Sequence, residues 1–160
     1  MPVKPTDRSF EQGLCVLLML ALQDGHVPVG SSALAGWLEV SDSYLKKILR
    51  KLTVAGLVRS RACPRGGFTL ARSPEDITVA DVQRALHPLR AFEPSGLGAR
   101  VFPDAEHAVS VGEELRGLFS RARAAYEAQL ETVSLADLLL PDAWPKGSVD
   151  WRDLARRDNG

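Results

Sequence analysis

Apolar residues recur every three or four positions in the first third of the chain, which is the spacing of amphipathic helices. Residues 7–23 predict a first helix that is apolar on nearly every side and therefore has to be covered on most faces. Gly30 and Ser31 begin a short second helix, and Ser41 is a good N-cap for a third. Gly56 ends the third helix, because a left-handed residue after a helix costs little only for glycine. The apolar face of the third helix comprises Leu45, Ile48, Leu49, Leu52 and Ala55.

The spacing changes from helical to alternating directly after the third helix. Residues 57–61 alternate between apolar and polar side chains, which predicts a short strand. Residues 64–67 have the composition of a turn, and residues 68–70 predict a returning strand. A β-hairpin that follows two short helices is the order of elements in a winged helix-turn-helix domain. The pattern therefore predicts a mainly α fold with a small β-hairpin wing.

A long helix is predicted in the second half of the chain. Residues 79–86 predict a fourth helix, and residues 88–104 contain the prolines and glycines typical of a linker. Residues 105–131 then predict a helix about 40 Å long. Apolar residues step along it by three and four positions from Ala108, as in a coiled-coil seam. A single seam on so long a helix needs a partner helix, for which a second copy of the chain is the economical source. The expected homodimer contacts are Val111, Leu115, Leu118, Ala122 and Ala125.

These elements divide the chain into four parts. They are a winged helix-turn-helix domain at 1–87, a linker at 88–104, dimerisation helices at 105–140 and a tail at 141–160. A short final helix, predicted within residues 132–139, closes the dimerisation part. The tail is polar and is expected to be loose, although Trp144 and Trp151 offer apolar anchors that would dock it.

The chain is neutral as a whole, with 20 basic and 20 acidic residues, yet its charges are unevenly distributed. Residues 41–72 contain eight basic residues and one acidic residue, so this segment carries +7 and the remaining 128 residues carry −7. A concentrated basic segment within a folded chain is typical of a protein that binds a polyanion. A solvated helix face is the alternative explanation, and it stays open at this point.

Five segments stand out in order along the chain: Val40–Leu52, Ala55–Val58, Gly66–Arg72, Ile77–Val82 and Val133–Leu138. Together they resemble the Rrf2 family of bacterial transcription regulators, over about residues 8–139. The ordered set is far more specific than a helix-turn-helix alone. The resemblance implies a homodimeric winged-helix protein that binds palindromic operator DNA, often as a repressor. It also implies sensing of iron–sulfur status, nitric oxide, redox state or a metabolite.

The resemblance implies that the start of the third helix reads bases, which here means Ser43, Lys46 and Lys47. Many relatives have Glu-Gln where this chain has Lys46 and Lys47, so a different operator is expected. Lysine and arginine favour guanine in the major groove, or phosphate.

The wing departs from the family pattern. Ala62 replaces the family's usual minor-groove arginine and Cys63 replaces its first glycine, which leaves Arg61 and Arg65 as candidates for that contact. The candidate DNA-binding residues of the whole chain are Ser41, Ser43, Tyr44, Lys46, Lys47, Arg50, Arg59, Arg61 and Arg65.

Iron–sulfur members of the family place three cysteines in the loop before the long helix, whereas residues 87–106 of this chain contain none. A thiolate-held cluster needs several cysteines, so no cofactor and no metal site are expected. The histidines do not have metal-type spacing either; they are His26, His87 and His107.

The two cysteines, Cys15 and Cys63, are candidate redox thiols, which makes an oxidant or a small effector a candidate partner. Cys15 lies in the first helix and is alternatively a small buried hydrophobe. Cys63 lies between Arg61 and Arg65, and nearby cations lower the pKa of a thiol. One testable version of this hypothesis is a disulfide between Cys15 of one subunit and Cys63 of the other.

Membrane insertion and secretion are not expected. The apolar run at residues 13–22 has about half of the ~20 residues that span a bilayer. Asp7 and Glu11 precede it where a signal peptide would be basic. Two cysteines suit a reducing compartment, so a cytoplasmic protein is predicted.

The sequence therefore predicts a sequence-specific DNA-binding regulator that acts as a repressor. The alternative is a winged-helix interaction module that docks a partner enzyme or regulator and has weak or no specific DNA binding; the altered wing supports it. An enzyme is disfavoured, because no Ser/His/Asp arrangement, P-loop or nucleotide fingerprint is visible.

Overall fold

A computed structural model describes residues 8–62, 66–139 and 149–152. Helices and strands follow one another in the order α1 (Arg8–Leu22), α2 (Ser31–Leu38), α3 (Asp42–Val54), β1 (Val58–Arg61), β2 (Gly67–Leu70), α4 (Val79–Leu86), α5 (Gly98–Val101), α6 (Ala105–Glu131) and α7 (Leu135–Leu138). One-turn 3₁₀ helices lie at Asp24–His26 and Pro74–Asp76. This order confirms the mainly α fold with a β-hairpin wing.

Helix α1 lies at the centre of the core, in contact with α3, α4 and β2. Val16, Leu17 and Ala21 are completely buried, which is the covering that its apolar sequence requires. Gly13 faces α4 so closely that a Cβ there would meet the Leu86 side chain. The buried partners from the other elements are Leu34, Leu45, Leu49, Leu52, Leu57, Ile77, Val82 and Leu135.

No helix within the described ranges is long and apolar enough to cross a membrane.

Helices α2 and α3 form the helix-turn-helix. Helix α2 ends at Leu38, and the left-handed backbone of Glu39 (φ 55°) then turns the chain towards α3. The Ser41 side chain accepts a hydrogen bond from the Tyr44 amide at 3.3 Å and so caps the start of α3. Gly56 adopts φ 70° after the end of α3, as its position in the sequence predicts.

The wing is an antiparallel pair of strands with a third contact that the sequence did not predict. The register of β1 and β2 pairs Val58 with Leu70 and Arg61 with Gly67. Val29 and Phe68 exchange backbone hydrogen bonds of 3.1 and 2.9 Å on the other edge of β2. Sequence periodicity cannot detect this contact. A strand is predicted from alternating apolar and polar residues over several positions, and here only one residue is paired.

After α6 the chain returns to the winged-helix core. The Leu135 amide donates to the Ile77 carbonyl and the Val79 amide donates to the Val133 carbonyl, both at 2.9 Å. Leu135 is completely buried among the core residues of the winged helix. The segment 88–104, expected to be a linker, contains the short helix α5.

Of the tail at 141–160 the structure describes residues 149–152, which are docked through Trp151, one of the two tryptophans named as anchors from the sequence. Trp151 packs edge-on against Trp37, with ring centroids 5.2 Å apart, and its indole N–H donates to the Met19 carbonyl at 2.7 Å. The aromatic anchor therefore outweighs the polar composition of its neighbours. Trp144 lies outside the described residues.

Candidate nucleic-acid interface

Helix α3 presents one buried face and one basic face. Its apolar residues Leu45, Ile48 and Leu49 lie in the core. The opposite face is exposed and includes candidate DNA-binding residues from the sequence: Ser43, Tyr44, Lys46, Lys47 and Arg50. Ser41, also exposed, caps the helix. The N-terminal end of a helix carries partial positive charge, so this end of α3 favours an anionic ligand.

The cations of α3 differ in their local partners. Lys46 forms an ion pair with Asp42 one turn earlier, at 2.6 Å. Hydrogen bonds from Lys46 and from Ser31 hold the pKa of the Asp42 carboxyl below its ordinary value. The side chains of Lys47 and Arg50 have no hydrogen bond or ion pair with any described residue. Their charges are therefore available to a polyanion.

The first strand of the wing adds two more cations. Arg59 and Arg61 are exposed and, being two residues apart on β1, point to the same face of the hairpin. Neither side chain has a hydrogen bond or ion pair with another described residue. β1 packs against α3, which brings the basic strand next to the basic helix. Arg65 and Cys63 lie outside the described residues.

Two further cations of the +7 segment bond to other parts of the same chain, although both residues are exposed. The Lys51 ammonium donates to the Leu86 carbonyl at 3.3 Å, at the C-terminal end of α4. Arg72 forms an ion pair with Asp81 at 3.2 Å and donates to the Asp76 carbonyl at 3.1 Å. Sequence charge counts cannot separate such structural cations from free ones.

Asp81 connects the base of the wing to the long helix. Its carboxylate accepts from the Thr78 amide while its own amide donates to the Thr78 hydroxyl, which is a capping box for α4. The same carboxylate pairs with Arg72 and, at 3.1 Å, with Arg84. Arg84 in turn pairs with Glu131 at 2.9 Å, at the end of α6. This network holds the wing, α4 and α6 in one arrangement.

The segment that would correspond to an iron–sulfur site lacks the ligands for a thiolate-held metal. The segment 87–106 has no cysteine, and its His87 Nε2 is hydrogen-bonded to the Ser9 hydroxyl at 2.7 Å. The neighbouring His107 packs edge-on against Phe102 with centroids 4.6 Å apart. Among the residues that the structure describes, no group of three or more His, Cys, Asp or Glu side chains is placed to hold a metal ion.

Cys15 is half-buried in α1. Burial, and secondarily the negative charge of Glu11, raises the pKa of the Cys15 thiol. A raised pKa lowers the fraction of thiolate, which is the species that reacts with oxidants. The surroundings of Cys15 therefore resemble those of a structural thiol more than those of a sensor.

Helix α6 leaves its apolar seam uncovered within the single chain. None of its described side chains is buried; Leu115 is 38% exposed and Leu118 is 52% exposed. Val111 is half-buried, and Ala122 and Ala125 are exposed.

The segment that precedes α6 packs on this helix at Phe119, four positions after Leu115 of the seam. There Phe92 stacks on Phe119, with centroids 4.8 Å apart.

A helix-turn-helix with an exposed basic face, next to a basic wing, is the architecture of winged helix-turn-helix DNA-binding domains. The chain belongs to the Rrf2 family: residues 6–141 match the family model described as "Rrf2: Iron-dependent Transcriptional regulator". The Rrf2 resemblance of the sequence segments is thus confirmed.

The names of two relatives agree with this family assignment. Protein rrf2 of Nitratidesulfovibrio vulgaris (strain Hildenborough) is 33% identical over 141 residues, which cover 86% of this chain and 87% of that protein. YwgB of Bacillus subtilis, an HTH-type transcriptional regulator by name, is 39% identical over 101 residues. That alignment covers 62% of this chain and 65% of YwgB, less than two thirds of its length.

The structure of CymR, "the Global Cysteine Regulator of B. subtilis", superposes with a TM-score of 0.59 at 29% identity. The superposition covers 87% of this chain and 97% of CymR.

Proposed function

We propose that this chain is a homodimeric, sequence-specific repressor that binds palindromic operator DNA in the cytoplasm and has no catalytic activity of its own. One observation carries the proposal. Lys47, Arg50, Arg59 and Arg61 are exposed cations without a protein partner among the described residues, and they lie on two elements that pack together. This arrangement supports simultaneous contact of the recognition helix, α3, and of the wing with DNA.

The exposed seam of α6 supports the dimer. Leu115 and Leu118 lie on a helix of 27 residues, and a second copy would cover them along its length. A two-fold dimer would place two α3 helices on half-sites about one helical turn (~34 Å) apart.

The test is binding of the purified chain to duplexes from its own promoter and upstream region, compared with shuffled duplexes of equal length. The expected result is a preference for a palindromic site. Affinity should fall by about 10³–10⁵-fold between 50 and 200 mM salt if the dimer makes about 6–10 phosphate contacts. Equal binding to native and shuffled DNA, or a nearly flat salt dependence, would contradict the proposal and favour the interaction module that docks a partner protein.

The proposal includes a response to thiol oxidation, for which Cys63 is the stronger candidate. The raised pKa of Cys15 makes that thiol the weaker candidate. Cys63 lies between Arg61 and Arg65 in the sequence, so its oxidation would alter the wing next to its cations. Operator binding should weaken with peroxide in the native chain and in Cys15→Ser, but not in Cys63→Ser. An equal response of all three proteins, or the absence of any response, would contradict a redox role of Cys63.

A further inference from the structure

The docked segment Val149–Arg152, which we call the strap, lies beyond residue 141, where the match to the family ends. It begins as an extra strand-like pairing at the end of α1. The Val149 amide donates to the Leu22 carbonyl at 3.2 Å, and the Asp24 amide donates to the Val149 carbonyl at 2.7 Å. The strap is therefore built into the backbone hydrogen bonding of the domain.

Gln23 is a buried polar residue whose partners come largely from the strap. It is 1% exposed, in a region where unpaired amide groups are costly. Its side-chain nitrogen donates to the Asp150 carboxylate at 3.0 Å, and its side-chain oxygen accepts from the Trp151 amide at 3.0 Å. Each end of the Gln23 amide thus has a hydrogen-bond partner in the strap.

Trp151 joins α1 to α2. Its indole N–H donates to the Met19 carbonyl of α1 at 2.7 Å. Its own carbonyl accepts from the indole N–H of Trp37, on α2, at 2.9 Å, and the two rings pack edge to face at 5.2 Å. Helix α2 packs on α3 and is the supporting helix of the helix-turn-helix. A contact that holds α2 against α1 therefore acts on the position of the recognition helix.

We propose that the strap is a positioning element of the DNA-binding unit: by clamping α2 to α1 through Trp151 and Gln23, it sets the orientation of α3 that binds DNA. This inference rests on the proposed function, because its main consequence is measured on operator DNA. Residues of the strap do not touch DNA in this scheme. Loss of the strap lowers the population of chains in which α2 and α3 have the binding arrangement.

The test compares Trp151→Ala with the native chain and with a matched control, Arg152→Ala. Arg152 lies in the same segment, but its side chain bonds to Asp150 and not to α2. If the binding arrangement falls to about one tenth of the population, operator affinity falls about tenfold in Trp151→Ala. Amide hydrogen exchange across residues 31–38 should accelerate in the same variant, whereas Arg152→Ala should stay within about twofold of the native chain in both measurements.

Binding is measured well below the melting temperature of each variant. Partial unfolding of a destabilised variant then does not contribute to the measured loss of affinity. Should Trp151→Ala fail to fold, Asp150→Ala removes one partner of Gln23 and leaves the tryptophan pair; the expected changes have the same sign and are smaller. Unchanged or tighter operator binding in a variant whose α2 amides exchange faster would overturn the strap proposal alone. Failure of the native chain to prefer its operator would instead overturn the proposed function, and this inference with it.

Discussion

Gly67 lies against the backbone of Val29: a Cβ on Gly67 would come 2.5 Å from the Val29 carbonyl oxygen and 2.6 Å from its carbonyl carbon. These atoms belong to the main chain that pairs with Phe68, so they cannot move aside like the end of a flexible side chain. The glycine thereby lets β2, and with it the whole wing, approach the segment before α2.

We expect Gly67→Ala to destabilise the protein by about 1–3 kcal/mol, because overpacking forces the backbone apart. Operator binding should weaken as well, since the wing shifts. The matched control is Gly117→Ala in α6, where the new Cβ would meet only the terminal nitrogen of Arg121 at 3.3 Å. This control should be neutral or stabilising by up to about 1 kcal/mol, because alanine is the better helix former. Chemical denaturation measures both, and equal stability of Gly67→Ala and the native chain would contradict the close approach.

Two cations of the same basic segment should behave in opposite ways. Lys47 is exposed and has no partner among the described residues, whereas Arg72 is paired with Asp81 at 3.2 Å. Lys47→Ala should reduce the slope of log affinity against log salt by about 0.9 for each phosphate that is no longer neutralised, or about 1.8 per dimer. Arg72→Ala should leave that slope unchanged and lower the free energy of unfolding by about 0.2–1 kcal/mol, as for an exposed ion pair.

Titrations of DNA binding at several salt concentrations, together with denaturation curves, distinguish the two effects. A salt slope that falls equally in both variants would show that Arg72 also contacts DNA.

The strap should loosen in acid. Hydrogen bonds from Arg152, then from Gln23, hold the pKa of the Asp150 carboxyl well below its ordinary value. Because the pKa is lowered in the folded state, this stabilisation is present above the unfolded pKa of about 3.9 and is lost as the pH falls through the folded pKa. The native chain should therefore melt above Asp150→Asn near pH 7, and the difference should shrink steadily below about pH 4.

Thermal melts of both proteins across this pH range measure the effect. The difference should also be smaller at neutral pH in an Arg152→Ala background, which lacks the largest cause of the shift. A difference that does not change with pH would contradict the role of the Asp150 charge.

The α6 seam offers a matched pair of alanines for testing the dimer. Ala122 lies on the seam, and Ala124 lies about 200° further around the helix; both are exposed in the single chain. Ala122→Glu should weaken self-association by at least about a hundredfold, because an uncompensated buried charge costs roughly 3–5 kcal/mol. Ala124→Glu should self-associate like the native chain.

Sedimentation velocity over a range of concentrations measures the association of all three proteins. A native chain that stays monomeric throughout, or equal weakening by both substitutions, would show that this seam is not the dimer interface.

Local sequence signals predicted much of the fold. Helix α4 extends over residues 79–86 as predicted, because Thr78 and Asp81 form its capping box within one turn of chain. Helix α6 matches its predicted range of 105–131, and Ser41 and Gly56 mark the limits of α3. Periodicity and caps act between residues a few positions apart, so they can be read without knowledge of the tertiary structure.

By itself, the sequence determined the class of fold, the basic recognition helix, the absence of cysteines from residues 87–106 and the family resemblance. Only the tertiary structure decided which cations are free, since the partner of Arg72 is nine residues away and that of Lys51 is thirty-five residues away. It likewise decided that Trp151 joins Met19 and Trp37 across more than a hundred residues. Such contacts depend on how the core brings distant segments together, and no local spacing in the chain records that.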